Sequence, residues 1–582
     1  MSFNRYYYDE LSYLRDLGEV FARENPSLAP FLTRQSTDPD VERLLEAFAF
    51  LTGRLREKLD DDLPELSHSL LSLIWPHYLR PVPAMTVMQF EPRVAASGAP
   101  FEVAPGAYLE SRPLEGTRVR FRTCYPTQVL PMKVSGARLE SSATGAVLDL
   151  EIRLSRQASF EALGLERLRL YLDCERDRLL GRTLYLFLCR QLAEVEVTGS
   201  TAGALRLPAE AVTPVGFADA EAVIPQPPTG FSGYRLLQEY FLMPQKFMFL
   251  DLEGLRPTAG FAGDRLHLSF RFGRAFELRS RVDAQHFRLN CTPAVNLFPL
   301  EGEPIKMHHT RTEYRLRPGR MRPADFEIHS VEEVSGRRQG QATPVVYHAF
   351  DSYRHDDGSL AGKPSYRLRR RPNITGRGSD LFISFVRPRG DSNPVAETVS
   401  FNLTCTNAPL MDRVSAGVVD QATESSPTQA TFTNVGPATA PVEPPLTGDL
   451  TWRLIANLTN NYTSILDVRL LRRLISTFNF RAYYDQQAER QTQLMMSGLQ
   501  AVESRRLDWL VRGLPIHGHE IRLQVSEERF GGEAEMFLFA SVLERYLGRY
   551  ANVNSCYRLV ALGSDGNVEY RWPVRIGARS AL

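Results

Sequence analysis

The amino-acid sequence predicts a multidomain α+β protein with N-terminal helices, central β-rich modules of sandwich or barrel type, and a mixed α/β C-terminal domain. Apolar residues recur first at three- and four-residue steps, then at two-residue steps, and finally at helical spacing again. The chain has 582 residues, which at roughly 150 residues per domain indicates about four domains. We therefore divide it into a helical segment (1–84), β-rich modules (85–413), a flexible linker or loop (414–449) and a C-terminal α+β domain (450–582).

Three helices are predicted in the first segment. One covers 3–24, with an apolar stripe of Phe3, Tyr7, Leu11, Leu14, Leu17 and Phe21. The next covers 38–60, where Asp38 can cap the helix and Pro39 suits its first turn. Its stripe comprises Val41, Leu44, Leu45, Phe48, Leu51, Leu55 and Leu59. A third is expected over about 65–79, with an inward face of Leu66, Leu70, Leu73 and Ile74.

Alternating apolar and polar residues predict strands in the central region. The clearest runs are 148–154, 168–172, 266–272 and 382–386. Residues 414–449 lack apolar periodicity and are rich in Ser, Thr and Pro, so we predict a mobile linker there that acts as a hinge. In the last domain we predict a strand over 520–525, a helix over 536–547 and a hairpin joining 557–562 to 568–572.

Composition excludes several classes of protein. The formal net charge is +1, from 69 basic and 68 acidic residues, which argues against a dedicated nucleic-acid binder. The six cysteines form no CxxC pair, so we expect reduced thiols. The aromatic and charged N-terminus does not resemble a signal peptide. No apolar run approaches the roughly 18–20 residues that cross a bilayer, and we therefore expect a cytoplasmic protein.

Candidate metal ligands are weak. His517 and His519 lie near a predicted turn without further ligands nearby in sequence. His308 and His309 are adjacent in a predicted strand and would face opposite sides. The acidic run 60–62 lacks the calcium-loop pattern and reads as a solvated turn. We predict neither a metal site nor a cofactor.

Catalytic motifs are also missing from the sequence. It contains no GxSxG, HExxH or Walker loop, so we predict no catalytic residue. Gly531 and Gly532 precede a helix, but Glu533 and Glu535 follow directly and disfavour a bound phosphate. The densest basic run consists of Arg367, Arg369, Arg370 and Arg371, with Arg377 nearby. We interpret this run as a solvated strand face or a site for an acidic protein, with nucleic acid as the alternative.

Seven segments together carry a resemblance to a known family. They are residues 3–26, 38–51, 73–81, 233–247, 290–298, 403–407 and 529–537. In these segments the sequence resembles the TssF family, also called VasA or ImpG, of type VI secretion system baseplate subunits. The resemblance spans nearly the whole chain, and the combination is specific although each piece alone is weak.

The resemblance implies a structural subunit that is not an enzyme and needs no cofactor. Two copies would join one TssG in a wedge that also recruits TssK and TssE. Six wedges would surround a VgrG spike hub and nucleate the tube and contractile sheath, as related wedge proteins do in contractile-phage baseplates. The resemblance further implies a place in the bacterial cytoplasm, docked to an inner-membrane complex, with no nucleic acid and no small-molecule substrate as partner.

The N-terminal stripes are the candidate partner-binding residues. Periodicity leaves open whether they are covered within the chain or by other chains. We hypothesise that they join a helical bundle with a second copy and TssG, through Phe3, Tyr7, Leu11, Leu14, Phe21, Leu44, Leu45, Phe48, Leu51 and Leu55. Two rival functions are kept: an enzyme with a non-standard site, and a β-rich carbohydrate- or nucleic-acid-binding module.

Overall fold

The computed structural model describes most of the chain. Described are residues 7–8, 10–15, 17, 39–60, 64–93, 98–143, 145–173, 175–200, 203–226, 232–276, 278, 280–308, 311–338, 343–350, 364–373, 378–386, 396–444, 446, 450–458, 467–511, 514–551, 555–564, 566 and 568–577. The chain divides into two compact units, one of residues 1–71 with 445–456 and one of residues 72–444 with 457–582. A mixed α+β architecture is confirmed.

The helices fall at both ends of the chain and between the central strands. They are α1 (Pro39–Asp60), α2 (Pro64–Ile74), α3 (Phe160–Leu163), α4 (Arg178–Arg190), α5 (Ser232–Leu242), α6 (Leu450–Leu458), α7 (Val468–Thr477), α8 (Gln486–Gly498), α9 (Glu527–Phe530) and α10 (Glu533–Tyr550). Aspartates cap three of them, since the carboxylates of Asp177, Asp467 and Asp485 accept the first backbone N–H groups of α4, α7 and α8. Within the described residues, none of these helices has the length and apolar character to cross a membrane.

Thirty strands are described, and almost all pair antiparallel. The first fifteen are β1 (Met85–Pro92), β2 (Phe101–Val103), β3 (Tyr108–Glu110), β4 (Arg120–Thr123), β5 (Thr127–Val129), β6 (Met132–Ser142), β7 (Gly145–Leu154), β8 (Arg167–Leu172), β9 (Leu192–Gly199), β10 (Ala204–Pro208), β11 (Val212–Pro214), β12 (Phe249–Glu253), β13 (Arg265–Phe272), β14 (Phe287–Arg288) and β15 (Cys291–Val295). The others are β16 (Phe298–Glu301), β17 (Ile305–Met307), β18 (Tyr314–Arg315), β19 (Glu327–Arg338), β20 (Val345–Ala349), β21 (Ser365–Pro372), β22 (Ser379–Val386), β23 (Glu397–Thr406), β24 (Gln421–Ala422), β25 (Ala430–Asn434), β26 (Leu499–Val511), β27 (Leu514–Val525), β28 (Cys556–Gly563), β29 (Glu569–Arg571) and β30 (Arg575–Ile576).

The strands form several sheets in the second unit. Their orders are β24-β3-β4-β15-β1-β25, β10-β9-β13-β7-β6, β11-β12-β8-β14, β16-β23-β19-β20-β21-β22-β18 with β17 on β23, β2-β5, and β26-β27-β28-β29 with β30 on β28. The predicted two-residue alternation is confirmed in β7, β13 and β22, whereas in β8 Tyr171 is buried together with Leu170 and Leu172. In the second sheet, for example, Leu148 and Leu150 of β7 face Phe270 and Leu268 of β13, and all four are buried. Alternation of this kind places the core on one face and charged residues on the other.

The predicted N-terminal helices are confirmed where they are described, except for the inward face of the third. Residues 7–8, 10–15 and 17 are helical, and α1 matches the predicted second helix. The α2 helix ends at Ile74, and a 3₁₀ turn covers Pro76–Leu79. Leu73 and Ile74 were expected to face inward but are exposed. The buried positions are Ser67 and Leu71, so the inner face is rotated by about one residue from the predicted one.

The prediction of a flexible linker over 414–449 is wrong for residues 414–444. β25 in this segment pairs antiparallel with β1, from Met88↔Asn434 to Pro92↔Ala430. Val419 and Phe432 are buried in the same core cluster as Phe90 of β1. The alternation in β25 covers just Ala430, Phe432 and Asn434, and its pairing partner β1 lies far away in the chain. Residues 445 and 447–449 of the predicted linker lie outside the described residues.

The C-terminal predictions are confirmed. The predicted strand lies in β27, the helix in α10, and β28 pairs antiparallel with β29 as a hairpin. The predicted helical stripe is buried, at Met536, Phe537, Ala540, Leu543 and Leu547. The α10 helix packs against α5 and α4. Tyr234 of α5 also stacks on Phe478, with ring centroids 4.3 Å apart, so the predicted boundary at 450 does not separate two independent cores.

A carboxylate pair in the second unit gives this fold a specific pH dependence. Burial and the nearby carboxylate of Glu327 raise the pKa of Glu443 to about 7, while the Arg370 guanidinium opposes the rise. Burial also raises the pKa of Glu327, which hydrogen-bonds Ser379 at 3.0 Å. Two carboxylates share one buried guanidinium, so one of them retains its proton near neutral pH.

We expect Glu443→Gln to flatten part of the stability–pH profile. Because the folded pKa of Glu443 lies above its ordinary value, its stabilising contribution is full below that ordinary value and is lost as pH rises through about 7. The wild-type melting temperature should therefore fall relative to that of the glutamine variant between about pH 5 and pH 8. Thermal melts of both proteins over this range measure the difference, and parallel profiles would contradict the assignment.

Candidate functional site

Helix α1 carries an apolar face that its own chain leaves exposed. Leu44, Phe48 and Leu51 follow one another at four- and three-residue steps, and their exposed fractions are 70%, 57% and 63%. This spacing places the three side chains on one stripe of the helix. We call Leu44, Phe48 and Leu51 the α1 stripe.

The opposite side of α1 is used within the chain. Ala49 and Gly53 are buried and Leu45 is half-buried. The preceding helical residues contribute an ion pair, in which the Arg15 guanidinium donates to Glu42 Oε1 at 2.9 Å. The helix is therefore held by one apolar face while a second apolar face remains in solvent. Exposed large apolar side chains clustered in this way mark an interaction surface.

The ten predicted partner-binding residues thus fall into three groups. Leu44, Phe48 and Leu51 form the exposed α1 stripe. Leu11 is buried, and Tyr7, Leu14 and Leu45 are half-buried, so these four are used at least in part within the chain. Phe3 and Phe21, together with the side chain of Leu55, lie outside the described part of the structure. The role of all ten in binding a partner stays a prediction.

Residues of the 233–247 segment build a buried ion cluster rather than a surface. The Lys246 and Glu239 side chains are both fully buried, and the Lys246 ammonium donates to the Glu239 carboxylate and to the Glu221 carbonyl. The second carboxylate oxygen of Glu239 accepts the N–H groups of Val223 at 2.8 Å and Ile224 at 3.0 Å. Burial lowers the pKa of Lys246, and the Glu239 carboxylate opposes that change. The cluster fixes the loop before α5 to the helix itself.

Buried asparagines in segments 290–298 and 403–407, which also carry the family resemblance, connect separate strands. The Asn290 amide binds the backbone of Leu130 twice, accepting its N–H and donating to its carbonyl, both at 2.9 Å. Asn296 Oδ1 accepts the N–H of Asn407 at 2.6 Å, and Asn296 Nδ2 donates to the Arg120 carbonyl at 2.7 Å. These side chains replace missing backbone partners at strand ends. They are structural, and sequence reasoning did not identify this role.

The candidate ligands His517 and His519 lie within β27, not near a turn as predicted. His517 Nδ1 is 2.7 Å from Asp508 Oδ1, and His519 Nδ1 is 2.9 Å from the Ser504 hydroxyl. Both contacts reach β26: Asp508 is directly opposite His517, whereas Ser504 is diagonal to His519. Among the described residues, no group of three or more His, Cys, Asp or Glu is placed to hold a metal ion. His309 and residues 61–62 of the acidic run are outside the described ranges.

The basic run in β21 has one member inside the molecule, Arg370, whereas Arg367 is exposed and Arg369 and Arg371 are partly exposed. Arg370 is buried and donates to the carbonyls of Ile328 and His329 at 2.8 and 3.0 Å. Arg371 donates to Glu313 at 2.6 Å. The interpretation of the run as a solvated face is therefore wrong for Arg370, because burial and carbonyl acceptors hold its guanidinium in the interior. Arg377 lies outside the described part.

None of the thiols in the described part of the chain has an activated character. Desolvation raises the pKa of Cys124, Cys189 and Cys405 to about 12. A thiol with such a pKa stays protonated at neutral pH and is a poor nucleophile. The geometry of the described residues therefore offers an apolar helix face for binding, and the buried polar groups serve the fold.

Comparisons with known proteins agree with these features. The family model for "Type VI secretion system, TssF" matches residues 1–579. The type VI secretion system component TssF1 of Pseudomonas aeruginosa is 33% identical over 631 aligned positions, covering 99% of both chains. A chain in the cryo-electron microscopy structure of the TssK-TssF-TssG baseplate subcomplex has a TM-score of 0.77 and 29% identity, covering 92% of this chain and 99% of that chain. A chain of the type VI secretion baseplate complex has a TM-score of 0.68 and 27% identity, with full coverage of both. The chain therefore belongs to the TssF family of type VI secretion system baseplate components.

Proposed function

We propose that the chain is a non-catalytic wedge subunit whose α1 stripe binds TssG and a second copy of the chain in a helical bundle. The observation that carries this proposal is the exposed stripe of Leu44, Phe48 and Leu51 on a helix whose other face is already covered. A related chain is found in a subcomplex with TssK and TssG, which supports these two proteins as partners. By family resemblance, the wedge also meets TssE, the VgrG hub, the sheath and tube, and the inner-membrane complex from the cytoplasm.

The number of apolar side chains in the α1 stripe allows an estimate of its contribution to the binding free energy. Full burial of one Leu or Phe side chain is worth about 1.5–3 kcal/mol, so three contribute about 4.5–9 kcal/mol. Association costs about 4–15 kcal/mol because the partners lose translational and rotational freedom. The α1 stripe therefore accounts for a large share of a stable joint but needs contacts from further surfaces of the wedge.

Replacing Leu44 and Phe48 with Asp is expected to abolish co-purification with TssG. The two carboxylates would have to be buried without partners in the joint, and the apolar contribution would be lost as well. The measurement is capture of the co-expressed TssG on the tagged chain, with the mass of the eluted complex. Circular dichroism and the melting temperature of the free variant should match the wild type, since both positions are exposed.

The matched control is Arg43→Asp. This single change alters the charge of α1 by the same amount, at an exposed position beside the stripe rather than on it. It should leave TssG capture intact. If Leu44→Asp/Phe48→Asp captures TssG normally, or if Arg43→Asp loses capture equally, then charge or another surface governs the joint and the α1 stripe does not.

A further inference from the structure

The hairpin of β26 and β27 extends past the sheet that carries it. The two strands pair in regular register from Ala501↔Gln524 to Val511↔Leu514, whereas β27 pairs with β28 only from Gly518 onward. Residues 508–511 and 514–517 therefore project beyond the sheet, and four residues at about 3.3 Å each reach about 13 Å. We call these residues, together with residues 503–507 at their base, the β26 arm.

The point where the arm leaves the sheet is fixed by a glycine. A Cβ atom at Gly518 would lie 1.7 Å from the carbonyl oxygen of Cys556, so no other residue fits there without moving one of the two strands. Glycine in a strand at a close backbone approach is typical of a built-in bend. The arm's direction is therefore set by the fold.

The outer edge of β26 is open along the arm. β26 is the edge strand of its sheet, and among the described residues its outer edge is contacted at the base, where the Arg472 guanidinium donates to the Leu499 carbonyl. Residues 503–506 and 508–510 are exposed, including Trp509 and Leu510. Residues 501–511 include no Pro and no Lys, and their register with β27 has no bulge. A long, regular edge without these protective features is a template for pairing with another strand.

We infer that this edge pairs with β26 of a second copy of the chain, antiparallel and centred on Leu507. In that register Arg506 of each copy faces Asp508 of the other, on one side of the ribbon. On the other side Arg505 faces the Trp509 ring of the other copy, a cation–π arrangement, and Leu507 faces itself. Asp508 contacts His517 through Oδ1, which leaves its second carboxylate oxygen as the acceptor for the arginine in this pairing.

Neighbouring two-fold registers are less favourable. Centring on Glu503, Arg505, Arg506 or Asp508 places a charge directly opposite its own copy, which is destabilising. Centring on Ser504 brings the second arm onto the base of β26, where Arg472 already binds. Among the registers centred on residues 503 to 508, the charge pattern therefore favours the one on Leu507, and the self-complementary order of Arg506 and Asp508 favours a second copy as the partner.

This inference rests on the proposed function only in naming a second copy as partner, since it uses the β26 arm and not the α1 stripe. The tests are therefore made in the Leu44→Asp/Phe48→Asp background as well as in the wild-type chain. The arm-mediated dimer should persist in that background while TssG capture is lost. A dimer that vanishes with the α1 stripe substitutions would overturn the assignment to the arm and leave the proposed function standing.

The first test reverses the charges of the arm. Arg506→Asp and Asp508→Arg should each raise the dimer dissociation constant of the purified full chain about tenfold, because two opposite-charge pairs become like-charge pairs. The double variant Arg506→Asp/Asp508→Arg should restore dimerisation, which also shows that the single variants fail by charge and not by misfolding. Sedimentation velocity across a concentration series measures the constant. Equal constants for all four proteins, or a monomer at every concentration, would overturn the inference.

The second test reads the register. Directly opposed residues of antiparallel strands have Cα atoms about 4.5–5.5 Å apart, which is within disulfide range. Leu507→Cys should therefore form a covalent dimer under mild oxidation, whereas Ser504→Cys, opposite Leu510 of the other copy, should not. The wild-type chain, with its native cysteines, is the control. Cross-linking of Ser504→Cys in preference to Leu507→Cys would contradict this register, and no cross-link in either would contradict the pairing.

Discussion

Lys246→Met is expected to lower the free energy of unfolding of the second unit by about 3–5 kcal/mol. The substitution keeps the length of the side chain but removes the ammonium that neutralises Glu239, and both residues are fully buried. Glu239 would retain two backbone N–H donors and Arg235, whose Nε lies 3.7 Å away. Removing one partner of a buried pair costs more than the pair itself contributes, because the remaining charge stays desolvated. Urea unfolding followed by tryptophan fluorescence and circular dichroism measures the loss.

Two further variants identify the cause of that loss. In Lys246→Met/Glu239→Gln the carboxylate charge is also removed, while the amide oxygen can still accept the N–H groups of Val223 and Ile224. The double variant should therefore be more stable than Lys246→Met alone, which reverses the order expected for independent losses. Lys133→Met, at an exposed position, should stay within about 0.5 kcal/mol of the wild type. If Lys246→Met behaves like Lys133→Met, the pair does not stabilise the unit.

The fold class and most elements could be predicted because local sequence determines them. The two-residue alternation in β7 and β13 indicates a sheet with one solvent-exposed face, and the apolar stripe of α10 indicates a buried helix. The segment 414–444 could not be predicted, because the alternation in β25 is short, with Phe432 as its one large apolar side chain, and its partner β1 is remote in the sequence. The β26 strand was missed for a related reason. Its outer half pairs only with β27 and buries little, so the usual contrast of apolar and polar faces is weak.

The candidate site was predictable only in part. The helical stripe of α1 was visible in the sequence, but the sequence does not say which apolar positions a neighbouring segment covers. The structure separates Leu44, Phe48 and Leu51, which are exposed, from Leu11, which is buried. Lys246 and Glu239 are charged residues, and their type alone predicts a surface position, yet they are buried together. Buried charged residues are uncommon unless they are paired. The burial of this pair depends on tertiary packing, which a local sequence pattern does not predict.

Asn296→Leu is expected to destabilise the second unit by about 2–6 kcal/mol, because two buried backbone groups lose their partner at about 1–3 kcal/mol each. The groups are the N–H of Asn407, 2.6 Å from Asn296 Oδ1, and the carbonyl of Arg120, 2.7 Å from Asn296 Nδ2. Both asparagines are fully buried, so water cannot replace the amide without opening the structure. Leucine has the same branched arrangement of four side-chain heavy atoms and is not smaller than asparagine, so the substitution leaves no cavity and the loss is not a cavity effect.

The asparagines should act as one unit. Asn407 Oδ1 accepts the N–H of Arg120 at 3.2 Å and lies 3.3 Å from Asn296 Nδ2, so each amide orients the other. Asn296→Ala and Asn407→Ala together should therefore cost less than the sum of the single changes, by about 0.5–3 kcal/mol in a double-mutant cycle. Asn402→Leu, an exposed position on β23, is the matched control and should change stability by less than about 0.5 kcal/mol. Strict additivity in the cycle would contradict this coupling and would mean that each amide stabilises the fold independently of the other.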